Sequence, residues 1–173
     1  MKNRALYMNG KLNLAFKELD IPKPQHGEVL LKIGYCGVCG SDVHFYESGC
    51  IGTTPIKGDL ILGHEAAGTV EAVGEGVTNV KVGDRVVLEP GIGCGHCEYC
   101  KSGRYNLCPD MQFISCPPYQ GAMRNYITHP AHLVYPLPEN VSTLEGALIE
   151  PLCVGMHAAN LGGVKLGDTV VIL

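Results

Sequence analysis

The sequence predicts a mainly β fold, either a barrel or a sandwich, with a few helices. Glycine (23 residues) and proline (11 residues) are abundant. Together with aspartate they interrupt short runs of valine, isoleucine and leucine about every eight to twelve residues, which is typical of such folds. The 173 residues are 46% hydrophobic and 17% charged, which is enough for one compact domain with a real core and the beginning of a second.

Five short apolar runs are predicted strands of this fold. Glycine next to a charged residue marks the turns between them, as in Gly74-Glu75-Gly76 and Val82-Gly83-Asp84, because glycine tolerates the backbone conformations that tight turns need. The predicted strands cover residues 28–35, 68–73, 85–88, 122–128 and 133–136.

The region that begins at Ser142 changes to helical patterns. Glu145 follows Ser142 at the third position, a spacing that is typical of a capped helix start and predicts a helix through residues 146–149. Pro151 is expected to break or restart this helix. Residues 152–161 are predicted to form a second helix, which ends at a pair of glycines.

An uninterrupted apolar run closes the sequence. Residues 169–173 follow a Gly167-Asp168 turn and predict a strand that is buried on both faces of a parallel sheet. The sequence stops inside or at the end of this strand, so we expect the chain to be a fragment of a longer protein.

Charge and targeting signals argue against several classes of partner. The net charge is −4 and the basic residues are scattered, so neither nucleic acid nor a membrane is an expected partner. Polar residues interrupt the N-terminal apolar runs before a signal peptide could form, and no run has the length of a membrane span. We therefore expect a cytoplasmic protein, in which nine cysteines indicate metal binding or catalysis rather than disulfides.

Four cysteines form a compact quartet with the spacing Cys94-x2-Cys97-x2-Cys100-x7-Cys108. Four thiolates in a glycine-rich loop are typical of structural zinc. Unliganded thiols and an iron–sulfur cluster are the alternatives. Zinc is favoured because converging thiolates repel one another and no other feature of an iron–sulfur protein is present. Four protein ligands leave no position for a substrate, so the quartet is predicted to stabilise the fold rather than to catalyse.

Two other segments carry separated metal-ligand types. Cys39 lies in the segment Gly-Val-Cys-Gly-Ser-Asp-Val-His, and His64 and Glu65 are adjacent 25 residues further on. Catalytic zinc takes three protein ligands and keeps one position open, and Cys39, His64 and a carboxylate would satisfy that set. Taken singly, each of these residues would more often belong to the core or the surface.

The spacing Gly63-His64-Glu65-x2-Gly68-x5-Gly74-x2-Val77 resembles the signature of the zinc-containing medium-chain alcohol dehydrogenase superfamily. The segments 39–44, 104–107 and 145–152 are most similar to its sorbitol, or polyol, dehydrogenase branch. The resemblance runs from about residue 4 to residue 173.

This resemblance implies a GroES-like irregular β-barrel with a few helices, followed by the first strand of a truncated Rossmann domain. The implied catalytic domain covers residues 1–155 and contains a structural zinc lobe at 91–110. Residues 156–173 would then be a linker helix and the first strand of a dinucleotide-binding domain. The glycine-rich turn that binds NAD(H) would follow that strand, so no cofactor-binding residue is expected within this chain.

The implied function is that of an NAD(H)-dependent polyol dehydrogenase with two Zn2+ per chain, which oxidises a secondary alcohol to a ketone. The fragment alone is expected to be inactive, and the parent protein is expected to be a homo-oligomer. Threonine or butanediol dehydrogenase and a non-enzymatic zinc-stabilised scaffold are the alternatives. The identity of the polyol, the choice between NAD and NADP, and the oligomeric state of the fragment stay open.

The resemblance also implies a role for individual residues near the catalytic zinc. Cys39 and His64 would be ligands, and either Glu65 or Glu150 would be the third. Glu150 would also be a catalytic and substrate-binding residue that moves on and off the metal. Asp42 would accept a hydrogen bond from the far nitrogen of His64 and so fix its tautomer.

Ser41 and His44 match the positions of a proton relay in the family, and Ser41 would also contact the substrate. Phe45 and Phe113 match positions that line the polyol pocket. The alternatives are a helix cap for Ser41 and Asp42, a solvent-facing position for His44, and core positions for the two phenylalanines.

Overall fold

The computed structural model describes residues 2–172. Within this range the chain forms four α-helices, which are α1 (Gly40–Ser48), α2 (Glu98–Lys101), α3 (Thr143–Gly146) and α4 (Ile149–Leu161). The strands of the same range are β1 (Asn3–Met8), β2 (Leu14–Leu19), β3 (Glu28–Cys36), β4 (Cys50–Ile51), β5 (Thr54–Pro55), β6 (Leu60–Ile61), β7 (Ala66–Val73), β8 (Arg85–Leu88), β9 (Gly91–Ile92), β10 (Gln112–Phe113), β11 (Tyr126–Pro130) and β12 (Val134–Pro136).

An antiparallel five-stranded sheet, in the order β11-β3-β7-β8-β12, is the centre of the fold. Leu31 on β3 pairs with Val70 on β7 and with Ile127 on β11. These three side chains and Val86 are at most 2% exposed and belong to one hydrophobic cluster. Burial of each such side chain contributes about 1.5–3 kcal/mol, so this cluster is the main source of stability.

A smaller sheet, in the order β2-β1-β6, carries the second hydrophobic cluster. Met8, Leu60 and Leu62 surround the ring of Phe45, which is 2% exposed. Phe45 lies on α1, so this contact fixes the helix against the smaller sheet. The short connection between β6 and β7 runs from the smaller sheet to the larger one, and it contains His64 and Glu65.

Four of the five predicted strands are confirmed with shifts of one or two residues at their ends, as β3, β7, β8 and β12. The predicted strand at 122–128 is wrong in its first half, because β11 begins only at Tyr126. Instead, the backbone of Met123 bonds to Leu62 and to Leu6. The segment 122–125 therefore crosses between the two sheets, a long-range arrangement that its apolar pattern does not reveal.

The capped helix start at Ser142 is confirmed. Ser142 Oγ accepts from the backbone N–H of Glu145 at 3.2 Å, and the backbone N–H of Ser142 donates to Glu145 Oε2 at 2.7 Å. The first helix is shorter than predicted, since α3 ends at Gly146. A second helix does restart near Pro151 and ends at Leu161, as expected, but α4 begins at Ile149 and continues through the proline. Proline is tolerated there because the N–H groups of a first helical turn have no intrahelical acceptor.

The predicted strand at 169–173 is not formed over residues 169–172, while residue 173 lies outside the described range. Val171 and Ile172 are 80% and 90% exposed. A strand needs at least one hydrogen-bonded neighbouring strand, and no strand within residues 2–172 pairs with this segment. Within the same range, no helix combines the length and the apolar character that crossing a bilayer requires.

Candidate metal centres

The four cysteines of the quartet converge in a loop around α2. The Sγ atoms of Cys94, Cys97, Cys100 and Cys108 all lie within 4.8 Å of one another. Backbone N–H groups point at the sulfurs, and those of Cys97 and Cys100 donate to Cys94 Sγ and Cys97 Sγ at 3.4 Å each. The loop therefore stabilises thiolates at the centre of the quartet.

The pKa values of two thiols in the quartet are shifted in opposite directions. Hydrogen bonds from the backbone of His96 and Cys97 lower the pKa of the Cys94 thiol to about 6. Desolvation and the neighbouring thiols raise the pKa of Cys100 to about 12. The protein alone thus favours one thiolate over several, whereas a metal ion among the sulfurs deprotonates its ligands.

A second cluster lies where the two sheets meet. Cys39 Sγ, a ring nitrogen of His64 and a carboxylate oxygen of Glu65 lie within 4.8 Å of one another. Cys39 immediately precedes α1, and the backbone N–H of Gly37 donates to the carbonyl oxygen of Glu65 at 2.8 Å. Gly63 has φ +90°, and a Cβ there would lie 2.6 Å from the Sγ of Cys36. Only glycine therefore allows this turn into His64.

His64 carries an unusual unsatisfied group. The residue is 6% exposed, and its Nδ1 has no hydrogen-bond partner among residues 2–172. Its ring packs edge to face against Phe113, with 5.3 Å between the ring centroids. Buried polar nitrogens are rarely left unpaired, so this ring fits a site completed by a ligand.

The predicted hydrogen bond from His64 to Asp42 is absent. Asp42 is 3% exposed, and its carboxylate accepts from the backbone N–H of Cys39 at 3.0 Å, from that of Gly63 at 3.1 Å, and from Ser115 Oγ at 3.1 Å. At the third position of α1, Asp42 reaches back to the helix start, as in a capping box. It therefore holds the backbone of both ligand segments rather than the imidazole.

Glu150 does not belong to the ligand cluster, but it lies near enough to interact electrostatically with two of its members. Desolvation raises the pKa of its carboxyl, His64 lowers it and Glu65 raises it, so the three groups interact electrostatically. The cluster of ligand atoms includes Glu65 and not Glu150. Of the two carboxylates that the resemblance allowed, the geometry thus brings Glu65 to Cys39 and His64.

The proposed relay and pocket residues divide between the surface and the core. Ser41 is half-buried and His44 is exposed on α1. The ring of Phe45 fills the second hydrophobic cluster, which was the alternative for this residue, and its role in the pocket stays a prediction. Phe113 does face the site, as its contact with His64 shows.

A cavity of about 690 Å³ adjoins this site. Phe113 and Glu150 line it beside α4, and most of its wall is apolar. Glu89 and Tyr135 also line it, and Tyr135 donates a hydrogen bond to Glu89 Oε2 at 2.8 Å. No sequence motif marks these two residues or Ser115, because their contacts join positions that are far apart in the chain.

Comparison with known proteins identifies the family of this chain. Residues 25–139 match the family described as the alcohol dehydrogenase GroES-like domain. A sorbitol dehydrogenase from Bacillus subtilis is 46% identical over 170 residues, which are 98% of this chain and 48% of that enzyme.

Two solved structures are also similar. An oxidoreductase of unknown specificity from Escherichia coli has a TM-score of 0.91 at 47% identity, covering 98% of this chain and 49% of that one. A short chain alcohol dehydrogenase from Escherichia coli CFT073, complexed with cofactor NADH, has a TM-score of 0.87 at 32% identity, covering 97% and 48%. The chain spans about half the length of the relatives it matches. It belongs to the zinc-containing medium-chain alcohol dehydrogenase superfamily and contains the GroES-like domain of the sorbitol dehydrogenase branch.

Proposed function

We propose that this chain is the catalytic domain of a zinc- and NAD(H)-dependent polyol dehydrogenase that oxidises a secondary alcohol to a ketone. The observation that carries the proposal is the cluster of Cys39, His64 and Glu65 at the junction of the two sheets. The similarity of the chain to the sorbitol dehydrogenase of Bacillus subtilis supports a polyol as the substrate.

The residues of both clusters fit zinc. Thiolate, imidazole and carboxylate form a three-ligand set that leaves one position open, whereas the four thiolates of the quartet form a closed set. The unpaired Nδ1 of buried His64 agrees with a site that a ligand completes. Zinc held by Cys39, His64 and Glu65 would supply Lewis acidity, which lowers the pKa of an alcohol hydroxyl.

The remaining steps belong to the side chains around the cluster. Phe113 covers one side of His64 and excludes water from it. In this proposal the hydroxyl of Ser41 accepts the hydroxyl proton of the substrate while it gives its own proton to the imidazole of His44. His44 is exposed on α1 and releases a proton to solvent. Glu150 binds a hydroxyl group of the polyol from the wall of the cavity.

The hydride acceptor would be NAD⁺, bound outside residues 1–173. We assign the catalytic domain to residues 1–155, and residues 156–173 to a linker helix and the first strand of a dinucleotide-binding domain. The predicted boundary falls inside α4, where Leu152, Val154 and Met156 are between 56% and 61% exposed. Such an apolar surface agrees with coverage by a further domain or subunit, and we expect the complete enzyme to be a homo-oligomer.

Metal analysis and a chimeric enzyme test this function. The 173-residue chain should hold two zinc ions, one of which exchanges readily with a chelator. A chimera can be made that joins residues 1–173 to the part of the Bacillus subtilis sorbitol dehydrogenase that this chain does not match. The chimera should reduce NAD⁺ with polyols as substrates, and diols and threonine are the comparison substrates. A single inert zinc, together with an inactive chimera, would instead indicate a scaffold module.

A further inference from the structure

We propose that Ser115 is a positioning residue for the Cys39, His64 and Glu65 site, and that it acts through Asp42. The inference rests on the proposed function, because it concerns how firmly that site holds its metal. Ser115 is 4% exposed, and its Oγ donates to Asp42 Oδ1 at 3.1 Å across 73 residues of sequence.

Asp42 connects Ser115 to both segments that carry metal ligands. Its Oδ2 accepts from the backbone N–H of Cys39, and its Oδ1 accepts from the backbone N–H of Gly63, which directly precedes His64. A single buried carboxylate therefore fixes the position of one ligand and the approach of another. The hydroxyl of Ser115 is the only side-chain donor to this carboxylate within residues 2–172.

The backbone of Ser115 indicates that its side chain is needed. Its φ is +67°, in the left-handed region, which residues with a Cβ adopt at a cost and glycine adopts freely. Leu12 is the other non-glycine residue with positive φ within the described range, at +58°, but its side chain is 58% exposed. At Ser115 the side chain is buried instead, and it makes a hydrogen bond to a charged group.

Ser115 also connects the site to Phe113. The turn after β10 brings the backbone N–H of Cys116 to the carbonyl oxygen of Phe113 at 3.1 Å, so Ser115 lies inside this turn. Because the ring of Phe113 packs against His64, the bond between Ser115 and Asp42 holds this ring on the imidazole. Loss of the hydroxyl would loosen Cys39, His64 and Phe113 together.

The Ser115→Gly variant separates this role from a contribution to stability. It removes the hydroxyl but relaxes the backbone, so we expect a smaller loss in Tm than in Ser115→Ala, which loses the same hydrogen bond and keeps the strain. We expect the dissociation constant for zinc at the Cys39 site to rise about tenfold, as is typical when a partner of a metal ligand is lost. Competition with a chelator measures this constant on the 173-residue chain, and the zinc of the cysteine quartet is the internal reference.

Leu12→Gly is the matched control, because it relaxes the same kind of backbone strain at an exposed residue and should leave both zinc affinities unchanged. Ser115→Ala is a second variant that loses the hydroxyl and keeps the strain, and it should weaken the same zinc. With cobalt in place of zinc, the visible absorption of the Cys39 site should change in both Ser115 variants and stay unchanged in Leu12→Gly.

The outcomes distinguish this proposal from the proposed function. Suppose that the unsubstituted 173-residue chain binds two metal ions, and that both Ser115 variants keep the zinc affinity and the cobalt spectrum of the Cys39 site. The positioning role is then refuted and the proposed function stands. If both zinc ions are weakened equally, Ser115 supports only the fold, which also refutes the role. If the parent chain binds metal at the quartet alone, the metal site of the proposed function fails, and the role of Ser115 fails with it.

Discussion

The buried histidine of β11 should make the stability of this domain depend on pH. His129 is 1% exposed, and its Nε2 donates to the carbonyl oxygen of Glu89 at 2.8 Å. Desolvation lowers the pKa of His129 from 6.5 to about 4; the hydrogen bond to Glu89 opposes this shift, and His132 and Arg124 add to it. The unfolded chain therefore binds a proton that the folded chain does not bind between these two values.

The sign and the size of the effect follow from this difference. The contribution of neutral His129 to stability is complete above pH 6.5 and is lost as the pH falls through 6.5 toward about 4. Between about pH 7.5 and about pH 5, the free energy of unfolding should decrease by about 2 kcal/mol on account of this residue. Other titrating groups, including the metal ligands, add to the total change and must be subtracted.

The free energy of unfolding can be measured by urea titration at both pH values, for the unsubstituted chain and for His129→Gln. The difference between the two proteins isolates the contribution of His129 from that of the other titrating groups. The amide of glutamine can donate to the same carbonyl but does not titrate, so the variant should lose about 2 kcal/mol less stability on acidification. His26→Gln is the control, because His26 is exposed and is not among the groups that shift the pKa of His129. Its replacement should leave the pH dependence parallel to that of the unsubstituted chain. Equal losses in the parent and in His129→Gln would refute the reasoning.

Three further predictions follow from other contacts. Phe45→Ala should lower the free energy of unfolding by about 3–5 kcal/mol, because it empties the second hydrophobic cluster; in denaturant titrations, Leu107→Ala at a half-exposed position is the control, and an equal loss would contradict the core placement. Ser142→Ala should cost about 1 kcal/mol in the same assay by removing the cap of α3, whereas no loss would show that the cap is dispensable. Glu150→Ala should lower the turnover of the chimeric enzyme more than its zinc content, since Glu65 completes the ligand cluster; parallel losses of turnover and zinc would assign Glu150 to the metal.

Local patterns in the sequence predicted much of the fold and the convergence of the four sulfurs of the quartet. Strands such as β8 could be located because their apolar runs end at glycine turns, and these signals depend only on neighbouring residues. The cysteine quartet was predictable for the same reason, since all its members lie within one short loop. The pairing of Cys39 with His64 depended on a resemblance, because no local rule brings residues 25 positions apart together.

The structure differs from the sequence-based predictions where contacts between distant parts of the chain determine the position of a residue. Phe45 belongs to the core because Met8 and Leu60 surround it, and these neighbours come from two strands on either side of it in sequence. Asp42 holds backbone N–H groups instead of His64 because Gly63 and Ser115 supply competing donors. Residues 169–172 could not form the expected strand because a sheet requires neighbours, and within residues 2–172 they have none.

The two metal centres differ in how far apart their supports lie along the chain. The quartet draws all four sulfurs from residues 94–108, so an ion can organise this loop while the rest of the polypeptide is still being synthesised. The proposed support of the Cys39 and His64 site is a hydrogen bond between positions 42 and 115, which are 73 residues apart in the chain. We therefore expect an order of maturation in which the structural ion is acquired early and the ion of the open site is acquired last, by an already folded domain.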